Sequence, residues 1–188
     1  MTLSIIEKAM RLAARAHQSQ TRKDSDLPYI SHPAMVALML QKHLFPPHVI
    51  AAGLVHDVLE DTAVSEDELR AELGDDVVDI VVALSEDKAL SWEARKERYI
   101  ESVRRASDEV KAVSICDKIH NLESLLEGYR QLGNEIWNRF NRPKDKQQWL
   151  QEALLSMYQE SWSHPLVDEY GRLVERFNAL EDSSKDGS

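Results

Sequence analysis

The sequence has a single cysteine, no long apolar run and no excess of basic residues, and each shortage excludes a class of protein. With only Cys116 and no signal-peptide pattern at the N-terminus, a disulfide framework is not expected, and a reducing cytoplasm is the predicted location. The apolar runs fall far short of the roughly 20 residues that a membrane-spanning helix needs. The formal net charge of −10 argues against binding to DNA, RNA or a membrane surface, because each of these is itself anionic.

Nearly every segment has the apolar spacing of a helix. A length of 188 residues with 43% hydrophobic content suits one domain with a real core. A β-branched run over 75–86 would suit a buried strand, but no second strand candidate pairs with it, so a helix is predicted there. We therefore predict a single all-α bundle over residues 1–182 and a disordered tail, 183–188. The chemistry-bearing part covers about 3–128, and the helices that follow it are expected at about 134–140, 145–162 and 165–180.

Prolines and glycines predict several helix boundaries. Residues 21–31 form a loop by composition. Pro46-Pro47 begins the helix that is expected to carry residues 56–62. A long helix over about 108–126 is expected to stop at Gly128.

The stretch His56-Asp57-Val58-Leu59-Glu60-Asp61-Thr62 places four ionisable groups directly after an apolar segment, residues 50–55. On a helix, His56, Asp57, Glu60 and Asp61 fall within an arc of roughly 140°. An imidazole beside carboxylates suits Mn²⁺, Fe²⁺ or Zn²⁺ better than Ca²⁺. The alternative is a solvated acidic helix end, but the apolar residues that run into the stretch favour a functional site.

Two further polar residues interrupt otherwise apolar helices. His32 lies at the start of a helix, and Asp117 lies in the 108–126 helix. Taken alone, His32 could be a hydrogen-bonded core residue and Asp117 a polar packing residue. Together with His56 and Asp57 they could form an octahedral metal site that leaves two positions for water and substrate. His120 is predicted to be structural, donating to a backbone or carboxylate partner.

A divalent ion lowers the pKa of a bound water and polarises a phosphoryl oxygen. Glu60 and Asp61, one turn further along, could orient or deprotonate that water or hold a second metal. Hydrolysis of a phosphate ester or phosphoanhydride is therefore the predicted reaction class. The basic residues are interpreted as solvent-exposed charges. Arg22 and Lys23 would lie in a solvated loop, and Lys96 and its neighbours would form a charged helix face.

Four motifs in this order resemble a known family. They are Arg22-Lys23, Pro28-Tyr29-Ile30-Ser31-His32-Pro33, His56 to Thr62, and Asp117-Lys118-Ile119-His120-Asn121-Leu122. His32, His56-Asp57 and the distant Asp117 resemble the HD superfamily of metal-dependent phosphohydrolases. The full set is similar to the hydrolase domain of the RelA/SpoT proteins, and more so to the stand-alone small alarmone hydrolases.

The resemblance implies an all-α HD domain and assigns roles to individual residues. One Mn²⁺, with Fe²⁺, Mg²⁺, Zn²⁺ or Co²⁺ as alternatives, would be held by His32, His56, Asp57 and Asp117. Glu60 and Asp61 would handle the attacking water. The substrate-binding residues would be Arg22, Lys23, Asn121 and Ser124.

The implied reaction is removal of the 3′-pyrophosphate from guanosine tetra- or pentaphosphate. Ser25 replaces a glycine that is common in the family, and Glu123 reverses a charge in the Asn121 motif. Two alternatives stay open, an HD nucleotidase acting on nucleoside monophosphates or NADPH, and a non-catalytic metal-stabilised nucleotide sensor. The expected partner is a small nucleotide, with no nucleic-acid polymer or membrane, and a homo-oligomer is possible.

Overall fold

The computed structural model describes residues 3–22 and 27–180, and helices occupy most of that length. They are α1 Ile5–Ala16, α2 Ser31–Lys42, α3 Pro47–Val55, α4 Val58–Asp61, α5 Glu66–Leu73, α6 Asp75–Leu84, α7 Trp92–Arg105, α8 Asp108–Leu132, a 3₁₀ helix Gly133–Arg139, α9 Lys144–Ser161 and α10 Pro165–Asn178. No β-strand is present in the described ranges. The all-α prediction is therefore confirmed, including the helix over 75–86. Lys23, Ser25 and the predicted tail, 183–188, lie outside the described residues.

The centre of the bundle is α3, whose residues 49–55 are all buried. It packs against α1, α2, α6 and α8. Gly53 lets α2 approach closely, because a Cβ at that position would lie 2.5 Å from Leu40 Cδ1. The residues that follow α3 are thus delivered to a fixed point inside the protein.

The prediction that α3 continues through residues 56–62 is wrong. The helix ends at Val55, and the short helix α4 begins at Val58. The Nδ1 of His56 donates to the Gly53 carbonyl at 2.8 Å, an acceptor that a continuous helix would use for the Asp57 backbone N–H. His56 and Asp57 therefore lie in a turn, and the residues of α4 are re-aimed relative to them.

The prediction that the long helix stops at Gly128 is also wrong. Helix α8 continues to Leu132 and ends at Gly133, whose φ of 55° suits glycine. A Cβ on Gly128 would lie 2.8 Å from Ile136 Cδ1, so Gly128 serves a close contact with the following 3₁₀ helix. Asp117 consequently lies near the middle of α8, and its backbone is held on both sides.

The C-terminal helices cover one side of this core. Helix α9 packs on α7, and α10 packs on α8 and α9. The predicted segments 145–162 and 165–180 are confirmed as helices, whereas the one at 134–140 is a 3₁₀ helix. Within the described ranges, no helix is long and apolar enough to cross a membrane.

Candidate metal centre and adjoining pocket

The four predicted metal ligands converge at one point, although they come from three separate segments. The Nε2 of His32 lies 3.0 Å from Asp117 Oδ1, and the Nε2 of His56 lies 3.0 Å from Asp57 Oδ2. His32, His56 and Asp57 each offer a ligand atom within 4.8 Å of the others. Asp117 adjoins this group, since its Oδ1 is also 3.6 Å from the Nε2 of His56.

The protonation of His56 is a test of whether these residues suit a cation. Because a carbonyl only accepts, the contact with Gly53 puts the proton of the neutral ring on Nδ1. The buried Nε2 then presents a lone pair, and it has no hydrogen-bond partner among the described residues. A lone pair facing two carboxylates is repulsive unless a proton or a metal ion lies between them. The donor set therefore fits a divalent cation.

The pKa values of the cluster agree with this description. Burial lowers the pKa of His56, but the carboxylates of Asp57 and Asp117 outweigh burial and raise that pKa well above its ordinary value. Burial raises the pKa of Asp57, but the charge of His56 outweighs it and brings the net pKa below the ordinary range. Burial also raises the pKa of Asp117, but the charge of Lys118 is the largest opposing effect, and the net pKa lies well below the ordinary value. Both carboxylates consequently stay ionised and available as ligands.

His120 packs behind the cluster. Its Nδ1 lies 2.7 Å from the Nδ1 of His32. The expectation that His120 is structural fits this position, but its partner in this contact is an imidazole and not the predicted backbone or carboxylate group. The Nδ1–Nδ1 contact fixes the orientation of the His32 ring.

Tyr29 is a site residue that the sequence reasoning did not single out. Its hydroxyl donates to Asp57 Oδ2 at 2.5 Å. Burial, followed by the charge of Asp57, raises the pKa of the phenol, so the hydroxyl remains a donor. The signal was present in the sequence, because Tyr29 belongs to the same short motif as His32.

Glu60 and Asp61 are bound to the segment that joins α6 to α7. The Oε1 of Glu60 accepts the backbone N–H of Glu86 at 2.5 Å. Lys88 Nζ donates to the Glu60 carbonyl at 2.5 Å and to Asp61 Oδ1 at 3.2 Å. Gln20 donates to the Asp61 carbonyl at 2.6 Å. Burial raises the pKa of Glu60. The hydrogen bond from the Glu86 N–H lowers it again only in part, so the net pKa is above the ordinary value.

A cavity of about 370 Å³ opens beside the cluster. Arg22 and Asn121, two of the predicted substrate-binding residues, both line it, and Arg22 donates to the Asn121 side chain at 3.1 Å. Asn121 in turn donates to Asp117 Oδ1 at 2.5 Å. Of the other two predicted substrate-binding residues, Lys23 lies outside the described residues, and Ser124 is not among the described residues that line the cavity.

Glu123 belongs to a different surface. It lines a separate cavity together with Arg130 and Arg176. Since Asn121 and Glu123 are two positions apart on a helix, their side chains point in different directions. The reversed charge at Glu123 is thus directed away from the pocket that holds Asn121.

Two lysines line the pocket, and neither was assigned to it from the sequence. The Lys96 side chain is only 17% exposed, so its prediction as a solvated surface charge is wrong. Lys118 pairs with Asp117 Oδ2 at 2.7 Å and lies 4.8 Å above the ring of Tyr99. Burial lowers the pKa of Lys118, but Asp117 raises it further, so the ammonium stays charged. For Lys96, the sequence held a signal: its helical spacing from Trp92 and Tyr99 places the three residues on one face of the helix.

The far wall of the pocket is made by the start of α7 and by segments that follow α8. Trp92 comes from α7, and Phe140, Gln147, Leu150 and Gln151 come from the later segments. The pocket thus combines a charged end near the histidine–aspartate cluster with an apolar and amide-bearing end, which is the composition of a nucleotide-sized site.

Comparisons with known proteins agree with this geometry. The model of the HD domain family matches residues 9–145. A guanosine-3′,5′-bis(diphosphate) 3′-pyrophosphohydrolase MESH1 from Xenopus tropicalis is 33% identical over 154 residues, which are 80% of this chain and 83% of the relative. The crystal structure of lmo0812 from Listeria monocytogenes EGD-e is 38% identical with a TM-score of 0.73, over 77% of this chain and 97% of that one.

A second solved structure extends the likeness in fold. It is described as a metazoan ortholog of SpoT that hydrolyzes ppGpp, and it superposes with a TM-score of 0.79. The match covers 96% of this chain and 99% of that chain at 23% identity. Because it includes the C-terminal helices, the whole described architecture is shared.

Proposed function

The chain belongs to the HD domain family of hydrolases, and we propose that it removes the 3′-pyrophosphate from guanosine-3′,5′-bis(diphosphate). The observation that carries the proposal is the buried Nε2 of His56, which has no hydrogen-bond partner among the described residues and lies 3.0 Å from Asp57 Oδ2 and 3.6 Å from Asp117 Oδ1, beside a pocket lined by cations. The name of the Xenopus relative supports the choice of substrate.

His32, His56, Asp57 and Asp117 would hold a divalent ion, and we propose Mn²⁺ because the donors are two imidazoles and two carboxylates. Such an ion supplies Lewis-acid polarisation of a phosphoryl group and an acidified water. The protein contributes the geometry of the donors: the Gly53 carbonyl orients His56, His120 orients His32, and Tyr29 holds Asp57.

The pocket cations would neutralise the polyphosphate. Arg22, Lys96 and Lys118 line the same cavity, although the chain as a whole has a net charge of −10. Their positive charge would attract a polyanion locally. Asn121 lies between Arg22 and Asp117, where its amide would position the sugar close to the cluster.

Glu60 would act as the proton acceptor. One carboxylate oxygen is fixed by the Glu86 N–H, which leaves the other to take a proton from water. Water would add to the phosphorus next to the sugar, and the bond between that phosphorus and the 3′-oxygen would break. One water proton would go to Glu60 and from there to solvent, and the departing 3′-oxygen would take up one proton from solvent, so that the protons balance. Asp61, held by Lys88 and lining the pocket, would support the orientation of the water.

The wider sequence predictions fit this proposal. We propose that residues 1–182 act as one domain, because α9 packs onto α7 and α10 packs onto α8 and α9, and because α9 supplies part of the far wall of the pocket. A cytoplasmic location and a possible homo-oligomer stay predictions.

The test is metal analysis of protein purified without chelator, followed by incubation with guanosine-3′,5′-bis(diphosphate), NADPH and nucleoside monophosphates in parallel. Chromatography would separate released pyrophosphate from released phosphate. The proposal expects pyrophosphate and a nucleoside 5′-diphosphate from the first substrate. Preferential phosphate release from the others would instead identify a nucleotidase, and tight binding without product would identify a sensor.

The matched variants are Asp57→Ala and Asp76→Ala. Asp57 adjoins both histidines of the cluster, whereas Asp76 is exposed in the first turn of α6. Asp57→Ala should lose both bound metal and turnover, and Asp76→Ala should keep them. Full activity of Asp57→Ala would overturn the proposal.

A further inference from the structure

The segment between α6 and α7, residues 85–91, contacts the Glu60–Asp61 pair at three points. These are the Glu86 N–H on the Glu60 carboxylate and the two bonds from Lys88 Nζ. The segment contains no helix or strand of its own. Its position therefore depends on side-chain contacts, and the position of the Glu60 carboxylate depends on the segment.

Glu86 is the most buried side chain among those of segment 85–91 that form ion pairs with α7. Its side chain is only 9% exposed and pairs with two cations of α7, Arg95 Nε at 3.0 Å and Lys96 Nζ at 2.5 Å. The same residue thus connects α7 to Glu60. Its carboxylate is fixed on α7, and its backbone N–H holds Glu60.

Stability alone does not account for this arrangement. A buried ion pair returns little net free energy, because both charges lose their hydration. Lys96 also lines the substrate pocket, where an unpaired ammonium would be free to move between positions. The Glu86 carboxylate fixes the position of the Lys96 ammonium and, through the same ion pair, the position of the segment that binds Glu60.

We propose that Glu86 is a positioning residue for the hydrolytic step: its carboxylate, clamped by Arg95 and Lys96, places the backbone N–H that orients Glu60. This inference rests on the proposed function in one respect, the role of Glu60 as proton acceptor. Glu86 itself touches neither the metal ligands nor, in this proposal, the reacting atoms.

The first test compares Glu86→Gln with Glu97→Gln, which makes the same chemical change on the exposed face of α7. Glu86→Gln keeps the backbone N–H but loses the ion pairs, and kcat should fall on the order of 10- to 100-fold because Glu60 is misplaced. Glu97→Gln should retain the wild-type kcat. Equal kcat values for wild type and Glu86→Gln would overturn the proposal.

A double-mutant cycle with Glu60→Gln separates positioning from general damage. If Glu86 acts through Glu60, adding Glu86→Gln to Glu60→Gln should cause no further loss of kcat. A partly unfolded or poorly active fraction would lower kcat by the same factor in both backgrounds. Full multiplication of the two losses would therefore overturn the proposal.

Hydrogen–deuterium exchange over residues 85–91 gives a reading that does not depend on turnover. Glu86→Gln should exchange these amides faster than wild type, and Glu97→Gln should match wild type. Unchanged protection in Glu86→Gln would contradict the proposal. If wild type hydrolyses none of the nucleotides, the proposed function fails, yet this measurement still decides whether the Glu86 carboxylate holds the segment against Glu60.

Discussion

The Nδ1 atoms of His32 and His120 lie 2.7 Å apart, so one imidazole donates a hydrogen bond to the other. The Nε2 of His32 lies in the cluster, 3.0 Å from Asp117 Oδ1. A metal-binding lone pair on that nitrogen requires the proton on Nδ1, which makes His120 the acceptor. His120 is thus placed to hold His32 in the tautomer that its proposed role as a metal ligand requires.

We expect His120→Phe to weaken Mn²⁺ binding by about 10- to 100-fold, because His32 loses the acceptor that fixes its tautomer. His120→Asn, which keeps an acceptor oxygen, should lose less. Competitive titration with a metal-sensitive dye measures the affinity. His48→Phe is the control, since His48 pairs with Glu109 away from the cluster; an equal loss there would contradict the explanation.

Glu60→Gln should keep the metal and lower kcat by roughly 10²–10⁴. Burial raises the pKa of Glu60 above its ordinary 4.5, and the base form exists only above that raised pKa. The wild-type kcat should therefore fall on acidification through a midpoint above 4.5. A pH–rate profile measures this midpoint. Persistence of the same acidic limb in Glu60→Gln would remove Glu60 as its source.

Lys96→Met should raise KM for the guanosine substrate by about 10-fold, because a charge-assisted contact to a phosphate is lost. The dependence of KM on salt concentration should also become shallower. Arg98→Met removes a cation from the same helix, but Arg98 is 70% exposed and pairs with Asp87. Steady-state kinetics at two ionic strengths should show the change only for Lys96, and matching changes in both variants would contradict a pocket role.

Two glycine substitutions should change stability in opposite directions. Gly133→Ala should lower the free energy of unfolding by about 1–2 kcal/mol, because Gly133 has a φ of 55° at the end of α8. Gly171→Ala should raise it by about 0.5–1 kcal/mol, since Gly171 lies inside α10 and its Cβ would be 3.7 Å from Leu155 Cδ1. Urea unfolding measures both, and a stabilised Gly133→Ala would contradict the assignment of the helix end.

The sequence predicted the all-α fold from the helical spacing of apolar residues, and it predicted the residues of the cluster for a different physical reason. His32, His56, Asp57 and Asp117 interrupt apolar segments, and buried polar groups need partners. Their common location follows from that need even though 85 positions separate His32 from Asp117.

The features that the sequence did not predict depend on tertiary contacts. The helical pattern is continuous across residues 50–62, but the helix is interrupted at His56–Asp57, where the His56 side chain donates to the Gly53 carbonyl. Glycine is a common residue at the end of a helix, but Gly128 lies inside α8, where the absence of a Cβ leaves room for Ile136. The link between Glu60 and Glu86 joins residues 26 positions apart, and no periodicity of a single helix contains it.

The break at His56–Asp57 has a consequence for how this enzyme could be engineered. The proposed metal ligands His56 and Asp57 directly follow the buried helix α3, whereas the proposed base Glu60 lies on α4, which is hydrogen-bonded to the segment 85–91. Substitutions in that segment can therefore tune the rate of proton transfer while the ion keeps its full support. A library confined to residues 85–91 would explore catalytic speed separately from cofactor loading.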